Sequence, residues 1–222
     1  MTRAGLIIVD PQNDFGNPNG ALYVPCGEDV VPEINRLRAL LRAIDVKDVF
    51  ITQDWHPDNH MSFVTNNPGT NPYEDIVLAD GTVQTMWPPH CIQETTGAEF
   101  LSGLIMEPSD IIIQKGTSPL VDAYSGFGST DGLTSVTTLM EHLCSKNITH
   151  LIIVGLAFDY CVAYTARDAT SFGFCTCVVR PATRGISETT CKKEETLMFN
   201  KGITIVETVE DACNWVIRNC LN

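Results

Sequence analysis

Basic residues are scarce in this chain. Its 222 residues carry 14 lysines and arginines against 27 aspartates and glutamates, a formal net charge of −13, and no basic run occurs. Little is available to neutralise a phosphate backbone or an anionic lipid surface, so neither nucleic acid nor membrane is expected as a partner. Long apolar runs are missing too: nothing approaches the roughly 18 residues of a spanning helix. An export signal is not evident, because the apolar stretch Leu6–Val9 is short and Asp10 ends it. A cytoplasmic protein is therefore expected, with its nine cysteines as reduced thiols. No Cys-x-x-Cys pair occurs, which argues against a zinc knuckle. Cys175 and Cys177 share one face of an expected strand and are predicted to be core. The first strand and turn, Ala4 to Phe15, lack a Gly-x-Gly-x-x-Gly fingerprint, which argues against a dinucleotide-binding domain. No repeat, low-complexity segment or linker divides the chain. A single domain over residues 1–222 is expected, long enough to bury a sizeable core.

Apolar residues make up 44% of the chain, and their periodicity alternates. Strands are expected at Ala4–Val9, Asp48–Thr52, Asp110–Ile113, His150–Gly155, Cys175–Arg180 and Ile203–Val206. Helices are expected at Val30–Ile44, Leu133–Ser145, Cys161–Phe172, Ser187–Asn200 (with Ser187 as cap) and Glu210–Cys220. Such alternation predicts an α/β domain with a mainly parallel sheet. Ser118–Gly132 reads as loop. Residues 57–100, rich in Pro, Asn, Thr and Gly, show little periodicity; so long an irregular segment is usually functional.

In an open parallel sheet, ligands bind beyond the carboxyl ends of the strands. Four apolar runs here are followed by reactive groups: Asp10, then Asp54 with His56, then Lys115, then Cys161. Cys161 stands where a strand hands over to a helix, and a helix start favours a thiolate. A packed core thiol is the bland alternative. As a set the residues make chemical sense. Asp10 can take the thiol proton, Lys115 can orient that carboxylate and stabilise the sulfur anion, and turn N–H groups can meet an oxyanion. Of the five histidines, His142 and His150 read as structural or solvent-facing. Asp54, His56, His60 and His90 lie in or beside the irregular segment and form a carboxylate–imidazole set suited to Zn²⁺, Fe²⁺ or Mn²⁺. The prolines of Trp87-Pro-Pro-His90-Cys stiffen the loop that delivers His90.

Taken in order, Ile-Val-Asp10-x-Gln-Asn-Asp-Phe15, Asp54-Trp-His56, Trp87-Pro-Pro-His90-Cys, Lys115-Gly, Tyr124-Ser-Gly-Phe127 and Gly155-x-Ala-x-Asp-x-Cys161-Val resemble the nicotinamidases among the isochorismatase-like cysteine hydrolases. The resemblance implies a three-layer α-β-α fold with a six-stranded parallel sheet. It maps a catalytic triad onto Asp10, Lys115 and Cys161. It maps metal ligands onto Asp54, His56 and His90, with His60 ligating or assisting. One divalent metal ion is implied, Zn²⁺ first, with Fe²⁺ or Mn²⁺ as alternatives. The oxyanion hole would be the N–H groups of Ala157 and Cys161, after a cis Leu156–Ala157 peptide. Phe15, Leu22, Trp87, Tyr124 and Tyr160 would line the pocket and sandwich a pyridine ring whose nitrogen faces the metal. Phe158 departs from the threonine of many relatives, and its bulk is expected to reshape the pocket mouth.

The implied reaction is deamidation of nicotinamide to nicotinate and ammonia through a cysteine thioester, a step of NAD salvage. A related cysteine hydrolase of a carbamoyl or ureido amide is the alternative, and the metal set argues against it. A non-catalytic scaffold is disfavoured by the intact triad. A homo-oligomer is expected on general grounds.

Overall fold

Strand β1 (Ala4–Val9) is buried along its whole length, as expected of a central strand in a parallel sheet covered on both faces. In the computed structural model, which describes residues 2–129 and 135–220, β1 pairs in parallel with β2 (Val49–Asp54) on one side and β6 (His150–Leu156) on the other. The sheet extends through β5 (Ile111–Lys115) beyond β2, and through β7 (Cys175–Arg184) and β8 (Thr204–Val206) beyond β6. Its order is β5-β2-β1-β6-β7-β8, and every neighbouring pair is parallel.

Parallel neighbours need crossovers, and helices supply most of them. A single helical turn, α1 (Asn13–Gly16), follows β1. Helices α2 (Val30–Ala43) and α6 (Val209–Cys220) cover one face: Ile34, Leu37, Leu41, Trp215 and Val216 cluster with Leu6, Ile8, Ile152 and Val154. Helices α3 (Leu139–Ser145), α4 (Ala163–Ser171) and α5 (Glu188–Asn200) cover the other, where Leu139, Leu143, Ala166 and Met198 join Ile7, Val9, Leu151 and Ile153. Alternate residues of each central strand thus feed opposite cores, and the fold is the expected three-layer α/β sandwich. Ser187 caps α5, its hydroxyl accepting the Thr190 N–H at 3.2 Å.

Several boundaries differ from the sequence reading. β6 runs past Gly155 to Leu156. β7 resumes after Pro181: its pairing with β6 shifts register between Ile153 and Gly155, opposite the residue that offers no ladder N–H. α3 starts only at Leu139, since Val136 bridges to Gly128 and the Thr137 hydroxyl donates to the Gly126 carbonyl. Leu133 and Thr134 of the expected helix, and the last three residues of the expected loop, lie outside the described residues. α4 starts at Ala163, and Phe158–Val162 forms a π-helical turn before it. The irregular segment holds a small antiparallel hairpin, β3 (Asp75–Val77) with β4 (Val83–Thr85). Cys177 is core, but Cys175 is exposed, because the first residue of β7 sits at the rim where the strand enters the sheet.

Candidate active site

Strands β5, β2, β1 and β6 are consecutive in the sheet, so their carboxyl ends are neighbours. Lys115 is the last residue of β5 and Asp54 the last of β2; Asp10 follows β1, and Cys161 lies in the turn after β6. The Lys115 side chain is wholly buried, and its ammonium is the hub. Nζ lies 3.0 Å from Asp10 Oδ2 and 2.5 Å from Asp54 Oδ1. It also donates to the Ala123 carbonyl at 3.1 Å and stands 3.5 Å from Cys161 Sγ. Asp10 holds a left-handed backbone (φ 44°), a conformation that aspartate tolerates better than most residues. Thr52 fixes its carboxylate: the Thr52 hydroxyl donates to Asp10 Oδ1 at 2.6 Å and accepts the Asp10 N–H at 3.1 Å. Oδ2 has the lysine ion pair but no hydrogen bond.

Electrostatics follow from this burial. Desolvation pushes Asp10 up to about 6 against the pull of Lys115. Burial would raise Asp54 as well, but Lys115 and His56 outweigh it and hold that carboxyl well below its ordinary range. Lys115 stays firmly charged, because the two aspartates more than offset its desolvation. The Cys161 thiol is pushed well up by burial and by both carboxylates, against Lys115. This corrects the expectation of a resting thiolate: a dry site between two carboxylates opposes a third negative charge, whatever a helix start offers. Carboxylate oxygens of Asp10 and Asp54 lie within 4.8 Å of the sulfur.

Beside this cluster, donor atoms of Asp54, His56 and His90 all lie within 4.8 Å of one another, and all three residues are buried. Their orientation suits a metal. His56 Nδ1–H donates to the Gly116 carbonyl at 2.9 Å, and His90 Nδ1–H to the Pro88 carbonyl at 2.8 Å. Each bond fixes the tautomer that leaves Nε2 as a lone-pair donor. Burial and the nearby His56 push His90 down to about 4, the neutral form a metal takes. Gly116 is obligatory here: its φ is 63°, and a Cβ would fall 2.3 Å from His56 Cε1. His60 stacks on His56 at 4.3 Å between ring centroids but is not one of the clustered three. Its Nδ1 lies 2.8 Å from Ser62 Oγ, and its buried Nε2 has no hydrogen-bond partner. The donor set fits a divalent ion of borderline softness.

A narrow cavity opens over Cys161 and these donors, and Phe15, Leu22, Trp87, Tyr124 and Tyr160 all line it. Trp87 Nε1–H donates to the Tyr124 hydroxyl at 2.9 Å, and Trp87 meets Tyr160 edge-on at 5.0 Å. These contacts order the aromatic cage. Ala157 lines the cavity too, and the Leu156–Ala157 peptide is cis. Phe158 does not line it: the ring is wholly buried on the opposite side of the turn, under the Arg180 guanidinium at 4.2 Å. The expected effect on the mouth is therefore absent, because the first residue of the π-turn points into the core.

A family profile for the isochorismatase domain matches residues 4–211. The chain belongs to the isochorismatase family. It is 41% identical to a nicotinamidase of Acinetobacter baylyi over 184 residues, covering 83% of this chain and 82% of that one. A nicotinamidase/pyrazinamidase of Acinetobacter baumanii superposes with TM-score 0.87 at 38% identity, covering 96% of this chain and 99% of the other. The pyrazinamidase of Pyrococcus horikoshii, solved in complex with zinc, superposes with TM-score 0.76 at 34% identity over 92% of this chain and 99% of its own. The chain is an amidohydrolase of this family.

Within this isochorismatase-family site, sequence reasoning missed five positioning or lining groups. Thr52 is one; a hydroxyl directly after the apolar run Val49–Ile51 was its only signal. Gln12 clamps the Asp54 backbone, accepting its N–H and donating to its carbonyl, both at 2.8 Å. Asp14 holds the His90 loop by accepting the Cys91 N–H at 2.7 Å. Asp122 and Ile186 line the cavity from loops, and nothing local in the sequence marks them. Among the described residues, no helix is long and apolar enough to cross a membrane.

Proposed function

We propose that this amidohydrolase deamidates nicotinamide to nicotinate and ammonia, as a cytoplasmic step of NAD salvage, with residues 1–222 acting as one catalytic domain. One observation carries the reading. Cys161 lies at an aromatic cavity that also presents Asp54, His56 and His90, so one bound ring would meet sulfur and metal donors together. In this reading Asp10, Lys115 and Cys161 are the catalytic residues. Phe15, Leu22, Trp87, Tyr124 and Tyr160 hold the ring.

Asp10 takes the Cys161 thiol proton as the sulfur attacks the carboxamide carbon. Lys115 keeps the region charge-balanced while the sulfur is anionic. The N–H groups of Ala157 and Cys161 receive the developing oxyanion. Asp10 passes its proton to the departing ammonia, which leaves a thioester on Cys161. A water, deprotonated by Asp10, attacks that carbonyl; the thiol is restored and nicotinate leaves. A divalent ion held by Asp54, His56 and His90, Zn²⁺ first and Fe²⁺ or Mn²⁺ as alternatives, would supply ring positioning and water activation. His60 Nε2 is available as a further donor.

Ammonia release from nicotinamide tests the proposal. The wild-type protein is expected to release it, a chelator to abolish release, and added Zn²⁺, Mn²⁺ or Fe²⁺ to restore it. Cys161→Ala should abolish turnover with the fold intact by circular dichroism. Continued ammonia release by that variant would refute the nucleophile.

A further inference from the structure

The turn that carries Cys161 sends successive side chains to different walls. Phe158 enters the core, while Tyr160 and Cys161 face the cavity. Asp159, among them, is 3% exposed and does not line the cavity. Its carboxylate is taken up by the segment joining β7 to α5. Oδ1 accepts the Ile186 N–H at 2.9 Å; Oδ2 accepts the Ser187 N–H at 3.1 Å and the Thr190 hydroxyl. A buried carboxylate is tolerated only when so satisfied, and such charge-assisted bonds are stronger than neutral ones. The docking is close: a Cβ on Gly185 would fall 2.1 Å from Cys191 Sγ and 3.1 Å from Asp159 Oδ1.

What this clamp holds is Ile186. Its side chain lines the catalytic cavity with Ala157, Tyr160 and Cys161. It also lines an open depression on the protein surface, where Arg184 and Lys192 are found. Ile186 therefore stands between the aromatic pocket and an open, charged depression on the surface.

We propose that Asp159 is a positioning residue that ties this wall of the pocket to the nucleophile turn, and that Ile186, so held, limits the size of the substituents a substrate ring can carry. The substrate half of the proposal rests on the nicotinamide reading; the clamp does not. The removal of one charge-assisted bond is worth about a factor of 10, and one methyl in an apolar pocket about 10-fold or more.

The test uses Asp159→Asn, Thr190→Val and Ile186→Ala in the full-length protein. Steady-state kinetics are measured with nicotinamide and with ring-methylated nicotinamides, and hydrogen exchange is followed at the Ile186 and Ser187 amides. Asn keeps one acceptor oxygen but turns an NH₂ toward a backbone donor. Asp159→Asn should raise KM for nicotinamide about 10-fold with kcat within about 3-fold, and should speed exchange at both amides about 10-fold. Ile186→Ala should favour the methylated substrates over nicotinamide by about 10-fold relative to wild type. Asp159→Asn should shift selectivity in the same direction. A fall in kcat with KM and exchange unchanged would overturn the proposal, since Asp159 would then act on the sulfur. If Asp159→Asn does not fold, Thr190→Val decides, because it deletes the hydroxyl's bonds to Asp159 Oδ2 and Ser187 and adds no donor; exchange is then read at the Ile186 amide, which Thr190 does not touch. A rise in KM of about 3-fold with faster exchange supports the clamp, and wild-type behaviour refutes it. A wild-type protein inert toward nicotinamide would sink the functional reading, while the exchange comparison would still decide the clamp.

Discussion

Replacement of Lys115 by methionine removes the only ammonium, among the described residues, within 3.0 Å of Asp10 or Asp54. Met keeps much of the volume, so the change is chiefly electrostatic. Breaking a buried pair by deleting one partner costs about 3–5 kcal/mol, and here two carboxylates lose the same partner. The loss should depend on pH in a defined direction. Asp10 already sits at about 6 with Lys115 present; without the ammonium its carboxyl moves higher still. A folded-state pKa above the unfolded value means stability that is present at low pH and lost as pH rises through the folded value. Above pH 6 the wild type has completed that loss at Asp10, whereas the variant continues to lose about 1.4 kcal/mol per pH unit. Urea denaturation in the presence of a chelator, followed by tryptophan fluorescence, should show the stability gap widening by up to about 2.7 kcal/mol between pH 6 and pH 8. A gap that is flat or narrows with rising pH would refute the account of Lys115 as the hub of a buried charge cluster.

Other outcomes follow from the same geometry. kcat/KM should fall about tenfold per pH unit below roughly pH 6, as Asp10 takes up a proton and ceases to be a base; a profile level down to pH 4 would contradict it. His56→Ala and His90→Ala should lower bound metal, measured by elemental analysis, from about one ion per chain to near zero, with circular dichroism unchanged. Retained stoichiometry would exclude these ligands. Phe158→Ala should cost about 3–5 kcal/mol in unfolding free energy yet leave KM for nicotinamide unaltered, because the ring lies outside the cavity. A changed KM with unchanged stability would reverse that assignment.

The layered fold was legible because period and length are local properties. Leu6–Val9 and Leu151–Val154 are unbroken apolar runs, rich in β-branched residues and too short for helices, which marks them as strands covered on both faces. Boundaries were less legible where a tertiary contact outbids propensity. Pro181 suggests an end to β7, but the ladder with β6 resumes beyond it. Ser135–Thr138 reads as helix, but bridges to the Gly126–Gly128 loop hold it open. In the site, residues that follow strand ends were visible. Those reaching in from the side, such as Asp122 and Ile186, carry no pattern of their own.

Sequence alone determined which groups would stand at the sheet's carboxyl rim. A strand's last residue is set by where its apolar run stops, and Asp10, Asp54 and Lys115 each stand at such a stop. Only the three-dimensional packing decided how those groups are charged. Bringing an ammonium, two carboxylates and a thiol together with the water removed raises the sulfur's proton affinity and that of Asp10 while lowering that of Asp54. Such shifts come from distance and dryness, which no spacing along a chain encodes.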